Sequence, residues 1–211
     1  MQDLSNIWKL TGFSGRNFMK SSVIALVLLA SVTVTRATIT NAWLYATDAN
    51  MTCGYTWSTP DSLLTLVGTQ NYALPAVLSG HVYTDVSGDP TLNLNQSINN
   101  QSGPTWTDYH VQISMPQPFT FLNVGVTNAG WTFTINPVVG NVGSIDYVAT
   151  SSAADIAPGG ELGFFFSLNW STGATSFTET DTPSFVPEPG EIGLATVGGL
   201  LMLVARARRK R

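Results

Sequence analysis

Between Ala37 and Ala205 the chain contains no lysine and no arginine. Its nine basic residues all sit at the ends: Lys9, Arg16, Lys20 and Arg36 before this stretch, Arg206, Arg208, Arg209, Lys210 and Arg211 after it. Acids are not so confined. Eight aspartates from Asp48 to Asp181, with Glu161 and Glu179, give the region ahead of Val186 a formal charge of about −10 when both histidines are neutral. Such a region forms no Lys/Arg–carboxylate pair with itself, and it repels polyanions. Nucleic-acid binding needs cations to neutralise phosphates, so that class is excluded for this region. A second cysteine is also missing. Cys53 is alone, which rules out an internal disulfide, and we read it as a small buried side chain. Finally, no apolar run reaches the length of about 18 residues that marks a clear membrane span, and no sustained helical period occurs in the middle of the chain.

The ends carry the clearest signals. Lys20 precedes Ser21-Ser22 and the apolar run Val23–Ala30, a basic n-region followed by an h-region of signal-peptide length. Met19 directly before it is an alternative start. Cleavage is expected after Ala37, with Thr35 two residues upstream, or after Ala42, with Thr40 two residues upstream. Residues 1–42 are therefore assigned to a signal-peptide region with one short helix. At the other end Val186-Pro187-Glu188-Pro189 leads into the uncharged segment Ile192–Ala205 and then into the five terminal basic residues. The prolines hold the backbone extended and accessible. As a helix the apolar segment spans roughly 21 Å, short of the ~30 Å hydrocarbon core, so a span there requires snorkelling arginines and a thinned bilayer. The basic end stays cytoplasmic by the positive-inside rule, which leaves the preceding domain outside.

The order Val-Pro-Glu-Pro, apolar helix, arginine-rich end resembles the PEP-CTERM sorting signal of exopolysaccharide-producing bacteria. The resemblance covers residues 186–211 and departs from the family pattern at Glu191, an acid close to the span. It implies recognition by exosortase, a membrane transpeptidase, with Pro187, Glu188 and Pro189 as the recognition residues and Arg206, Arg208, Arg209, Lys210 and Arg211 as the cytoplasmic anchor. It also implies transient anchoring in the inner membrane, a final place at the cell surface or in the extracellular matrix, and signal peptidase and exosortase as processing partners.

Residues 43–185 read as one all-β domain. Leu92, Leu94 and Ile98 alternate with Asn93, Asn95 and Ser97; Tyr109, Val111, Ile113 and Met115 alternate with His110, Gln112 and Ser114. That is the period of a half-buried strand. Further strands are expected over 38–46, 63–67, 80–84, 119–126, 131–135, 145–150, 161–170 and 176–180, with turns at Gly88-Asp89-Pro90, Ser102-Gly103-Pro104, Asn128-Ala129-Gly130, 137–143 and Pro158-Gly159-Gly160. Many short strands with such punctuation predict an antiparallel β-sandwich, immunoglobulin-like or jelly-roll. The order of these pieces also resembles ectodomains that precede such tails, most of which have no assigned activity.

Candidate chemistry in this domain is sparse. His81 and His110 are the only histidines, and Asp108 shares a strand face with His110. No nucleophile motif accompanies them, so no enzymatic activity is expected; an enzyme would need a serine beside this pair in a cleft. Asp85, Ser87 and Asp89 place oxygens at every second residue like the start of a calcium loop, but Pro90 and Gln96 stand where an EF-hand needs glycine and a bidentate acid. A looser calcium site is the only cofactor candidate. Trp57, Trp106, Tyr109, Trp131 and Trp170 invite an aromatic sugar platform. Trp131 reads as core, while Trp106 follows a Gly-Pro turn and, with Tyr109, is the sugar-binding expectation. Asn50, Asn95, Asn100 and Asn169 open sequons that carry little weight in a bacterial protein. The sequence thus predicts an exported surface or matrix protein, structural or adhesive in exopolysaccharide, with a carbohydrate- or calcium-binding module as the alternative.

Overall fold

The computed structural model describes residues 37–185 except 87 and 172; the leader, the Val-Pro-Glu-Pro motif and the apolar tail lie outside the described residues. Two β-sheets pack face to face. The larger contains, in spatial order, β1 (Ile39–Ala46), β4 (Ala76–Thr84), β11 (Thr175–Phe185), β6 (Trp106–Ser114), β9 (Val142–Ala149) and β8 (Trp131–Val139). The smaller contains β2 (Met51–Ser58), β3 (Leu63–Gln70), β5 (Thr91–Asn100), β10 (Glu161–Trp170) and β7 (Phe119–Val126). All pairs are antiparallel except β3 with β5. The wholly antiparallel expectation fails there because β4, the strand between them in the chain, belongs to the opposite sheet, so β5 returns in the direction of β3. Among the described residues there is no α-helix.

The pairing is nested. β4 pairs with β11, β5 with β10 and β6 with β9, while β7 and β8 meet across the corner between the sheets. This is what a long hairpin gives when it is rolled up. Strand alternation decides which side chains fill the interior. On β10, Leu162, Phe164, Phe166 and Leu168 face inward and are buried; on β5, Leu92, Leu94 and Ile98 do so. Phe164 stands at the centre, 4.8 Å from the ring of Tyr147 and 5.8 Å from that of Tyr109. Such ring pairs add about 0.5–1.5 kcal/mol beyond the area they bury.

Two local features shape the sheets. Gly80 lies opposite Phe177, and a β-carbon at Gly80 would stand 2.2 Å from that ring. The aromatic side chain therefore fills the place of the missing one. β7 bulges at Asn123, whose φ of +48° is a left-handed conformation that asparagine tolerates better than branched residues. β1 begins at Ile39 and runs through Ala42, which is fully buried opposite Val82. Proteolysis after Ala42 would thus remove half of this edge strand, whereas cleavage after Ala37 would leave it whole.

Candidate functional site

Trp106 and Tyr109 are fully buried. The sugar-binding expectation for both is corrected: neither presents a ring face to solvent. Trp106 opens β6, pairs with Ile156 and donates its indole N–H to Ser102 Oγ at 2.9 Å. Ser102 is fixed in turn by Asn100 Oδ1, which accepts from its amide at 3.0 Å and from its hydroxyl at 2.8 Å. A buried indole with its N–H satisfied is core. Trp131 and Trp170 are core as well, donating to the carbonyls of Ala154 and Gly173.

The most unusual interior feature is a pair of acids. Glu179 and Asp181 alternate with outward threonines on β11 and face the core beside Phe177. Both are fully buried, in a region without lysine or arginine to pair with them. Glu179 Oε1 accepts a 2.6 Å hydrogen bond from Gln96 on β5. Asp181 Oδ2 accepts from the Tyr109 hydroxyl at 3.2 Å. Burial, and next the charge of Asp181, push Glu179 well above the ordinary carboxylate range. Burial pushes Asp181 up to about 7, against the Tyr109 hydroxyl and the neighbouring Glu179, which favour its ionised form. Glu179 therefore keeps its proton, while its Oε2 and Asp181 Oδ1 have no hydrogen-bond partner among the described residues. Two carboxylates side by side away from water cannot both ionise without a large penalty. Tyr109 and Tyr147 are raised too, first by burial and then by these acids. Cys53 on β2 is half-buried, and burial is the main cause of its raised thiol. The alternation of β11 announces this inward pair only when the strand is known to continue past Thr180.

On the outer face of the larger sheet, His110 Nδ1 is hydrogen-bonded to Asp146 Oδ1 of β9, directly across the register. Asp108, the partner expected from strand spacing, lies on the same face but does not bond the imidazole. Asn136 holds the other Asp146 oxygen at 2.8 Å. Thr182 and Ser184 of β11 stand opposite His110 and Asp108 and share with them a shallow depression of about 380 Å³. Asp146 thus orients the imidazole, and two hydroxyls lie close by. Neither hydroxyl hydrogen-bonds His110 among the described residues. The calcium candidates are dispersed in a similar way. Asp85 Oδ1 accepts from the Thr38 amide at 2.8 Å and holds the start of β1, Asp89 lines a separate shallow pocket with Thr91 and Asn169, and Ser87 lies outside the described residues. Among the described residues no three acidic, histidine or cysteine side chains come together as a metal set.

At the β1 edge of the same outer face stands a group of aromatic rings, exposed at Tyr45 and Tyr83 and half-buried at Trp43 and His81. Trp43 and Tyr45 come from β1, His81 and Tyr83 from β4. The Trp43 ring lies 5.4 Å from His81 and 5.1 Å from Tyr83, with planes 34° and 33° apart. Tyr45 is parallel to His81 within 5° at 6.4 Å. Four rings thus form one continuous staircase on the sheet surface. Sequence reading missed it because the two strands meet only through the β1/β4 register; the Trp43/Tyr45 and His81/Tyr83 spacing on one strand face was its only local trace.

No protein-family model matches the chain, and no curated protein matches it.

Proposed function

We propose that the chain is an exported bacterial surface or extracellular-matrix protein, sorted by exosortase through its tail, and that its β domain is a structural or adhesive module in exopolysaccharide. The observation that carries this reading is the three-part tail: motif, apolar segment and basic end in order, at residues 186–211. The described part of β11 runs to Phe185, and the motif that follows lies outside the described residues. The nested pairing of β4 through β11 favours a jelly roll over an immunoglobulin-like sandwich. We assign no enzymatic reaction to it. The region's charge, wholly acidic with Ser, Thr and Asn supplying the rest of the polar surface, suits a secreted polymer-rich setting better than a polyanion-binding role.

Fractionation of the native host with intact-mass analysis tests the proposal. The expected product lies outside the inner membrane and lacks both the leader, cut after Ala37, and the basic end. Replacing Pro187 and Glu188 with alanine should leave a membrane-bound precursor that keeps residues 206–211. A full-length cytosolic product would overturn the reading.

A further inference from the structure

We propose that the aromatic staircase of Trp43, Tyr45, His81 and Tyr83 is a binding site for an extended, neutral polysaccharide chain; the inference rests on the matrix reading above and names the ligand class. Tyr45 and Tyr83 are 44% and 47% exposed and Trp43 and His81 are half-buried between them, so the two tyrosine rings are not core that happens to touch the surface. Aromatic faces carry negative charge density, and one face of a pyranose presents C–H groups of opposite polarity. Ring-on-sugar stacking is therefore the complementary contact.

The surroundings supply the other half of sugar recognition. The register of β4 with β11 places Ser176 beside His81 and Thr178 beside Ser79 on the same face, which sets a strip of hydroxyls along the rings. Charge decides between kinds of polymer. No lysine or arginine occurs between Ala37 and Ala205, so a polyuronate or sulfated chain would meet an acidic domain without a cation to hold it. A neutral chain pays no such repulsion. Shape decides between a free sugar and a chain. Tyr45 lies opposite Ser79, and Tyr83 lies opposite Asn41. At ~3.3 Å per residue the staircase extends roughly 13 Å along the strands. It is an open strip, not the enclosed cleft that a small ligand requires.

Affinity electrophoresis of the full-length chain in detergent, through native gels cast with dextran, galactomannan or alginate, tests this. At least one neutral polymer should retard the protein in a manner that Tyr83→Ala removes; any retardation by alginate through the nine terminal lysines and arginines should be the same in parent and variant. Trp43→Ala and Tyr83→Ala should each weaken retardation at least about tenfold, equivalent to about 1.4 kcal/mol. Tyr72→Ala, at an exposed tyrosine in the β3–β4 loop, should leave it unchanged. Because Trp43 also supports the edge strand, Tyr83→Ala, with a melting curve like that of the parent, is the deciding variant. Absence of retardation by both neutral polymers, alginate retardation that Tyr83→Ala weakens, or parental binding of the neutral polymers by Tyr83→Ala would overturn the proposal. An exported, processed protein that binds neither polymer sinks this inference alone; a cytosolic protein that binds sinks only the sorting reading.

Discussion

At the scale of single residues, Asp181 and Glu179 govern how the domain responds to pH. A carboxyl whose folded pKa is raised contributes stability that is fully present below its unfolded pKa and is lost as pH rises through the folded value. For Asp181 that window runs from the ordinary value of 3.8 up to about 7, and Glu179 extends it upward. The domain should therefore melt at its highest temperature near pH 4 and lose on the order of a few kcal/mol by pH 8. In Asp181→Asn the amide nitrogen can donate to Glu179 while its oxygen still accepts from Tyr109. This variant should be more stable than the parent at pH 8, with a flatter profile between pH 5 and 8. A parental slope in the variant would show that the acid pair is not the source. Gly80 gives a second prediction at this scale. Gly80→Ala forces a β-carbon against the Phe177 ring and should cost about 1–3 kcal/mol in denaturant unfolding. A Gly80→Ala, Phe177→Leu double variant should recover part of that loss.

At the scale of elements, alternation alone did not decide which strands were read. β10 follows the expected bounds at Glu161 and Trp170 because its apolar run is long and bounded by turns. β2 was missed although Met51, Cys53, Tyr55 and Trp57 alternate with Thr52, Gly54, Thr56 and Ser58; of these only Met51 is buried, and β3 pairs along its whole length. β11 runs past Thr180 to Phe185 although Asp181 and Pro183 read as loop; tertiary burial of a protonated acid overrides that local signal. The same limit hid the binding strip. Trp106 looked exposed because a turn precedes it, yet the Ser102 hydrogen bond makes burial inexpensive, while Trp43 became a surface ring only through β1/β4 pairing. These strands also yield a prediction about processing. Removal of residues 38–42 takes Ile39 and Ala42 out of the core and exposes the edge of β4. A chain that begins at Trp43 should be destabilised by several kcal/mol and should be cleaved readily by added protease, whereas one that begins at Thr38 should resist it. Equal resistance would place the start of the folded domain after Ala42.

At the scale of the whole domain, uncompensated acid charge is the property that its surfaces share. Between Ala37 and Phe185 lie eight aspartates and two glutamates without one lysine or arginine, and of these only Glu179 and Asp181 are fully buried. The remaining acids repel one another across water, and salt screens that repulsion within about 10 Å at 0.1 M. Raising sodium chloride from about 10 mM to about 0.5 M should therefore increase the melting temperature at pH 8 by several degrees. Calcium separates screening from binding. If Asp85, Ser87 and Asp89 act only as turn residues, millimolar calcium should raise the melting temperature no more than magnesium at equal ionic strength. A calcium-specific rise that Asp89→Ala removes would instead assign the turn a cation, and would make the domain's acidity part of a metal-dependent fold.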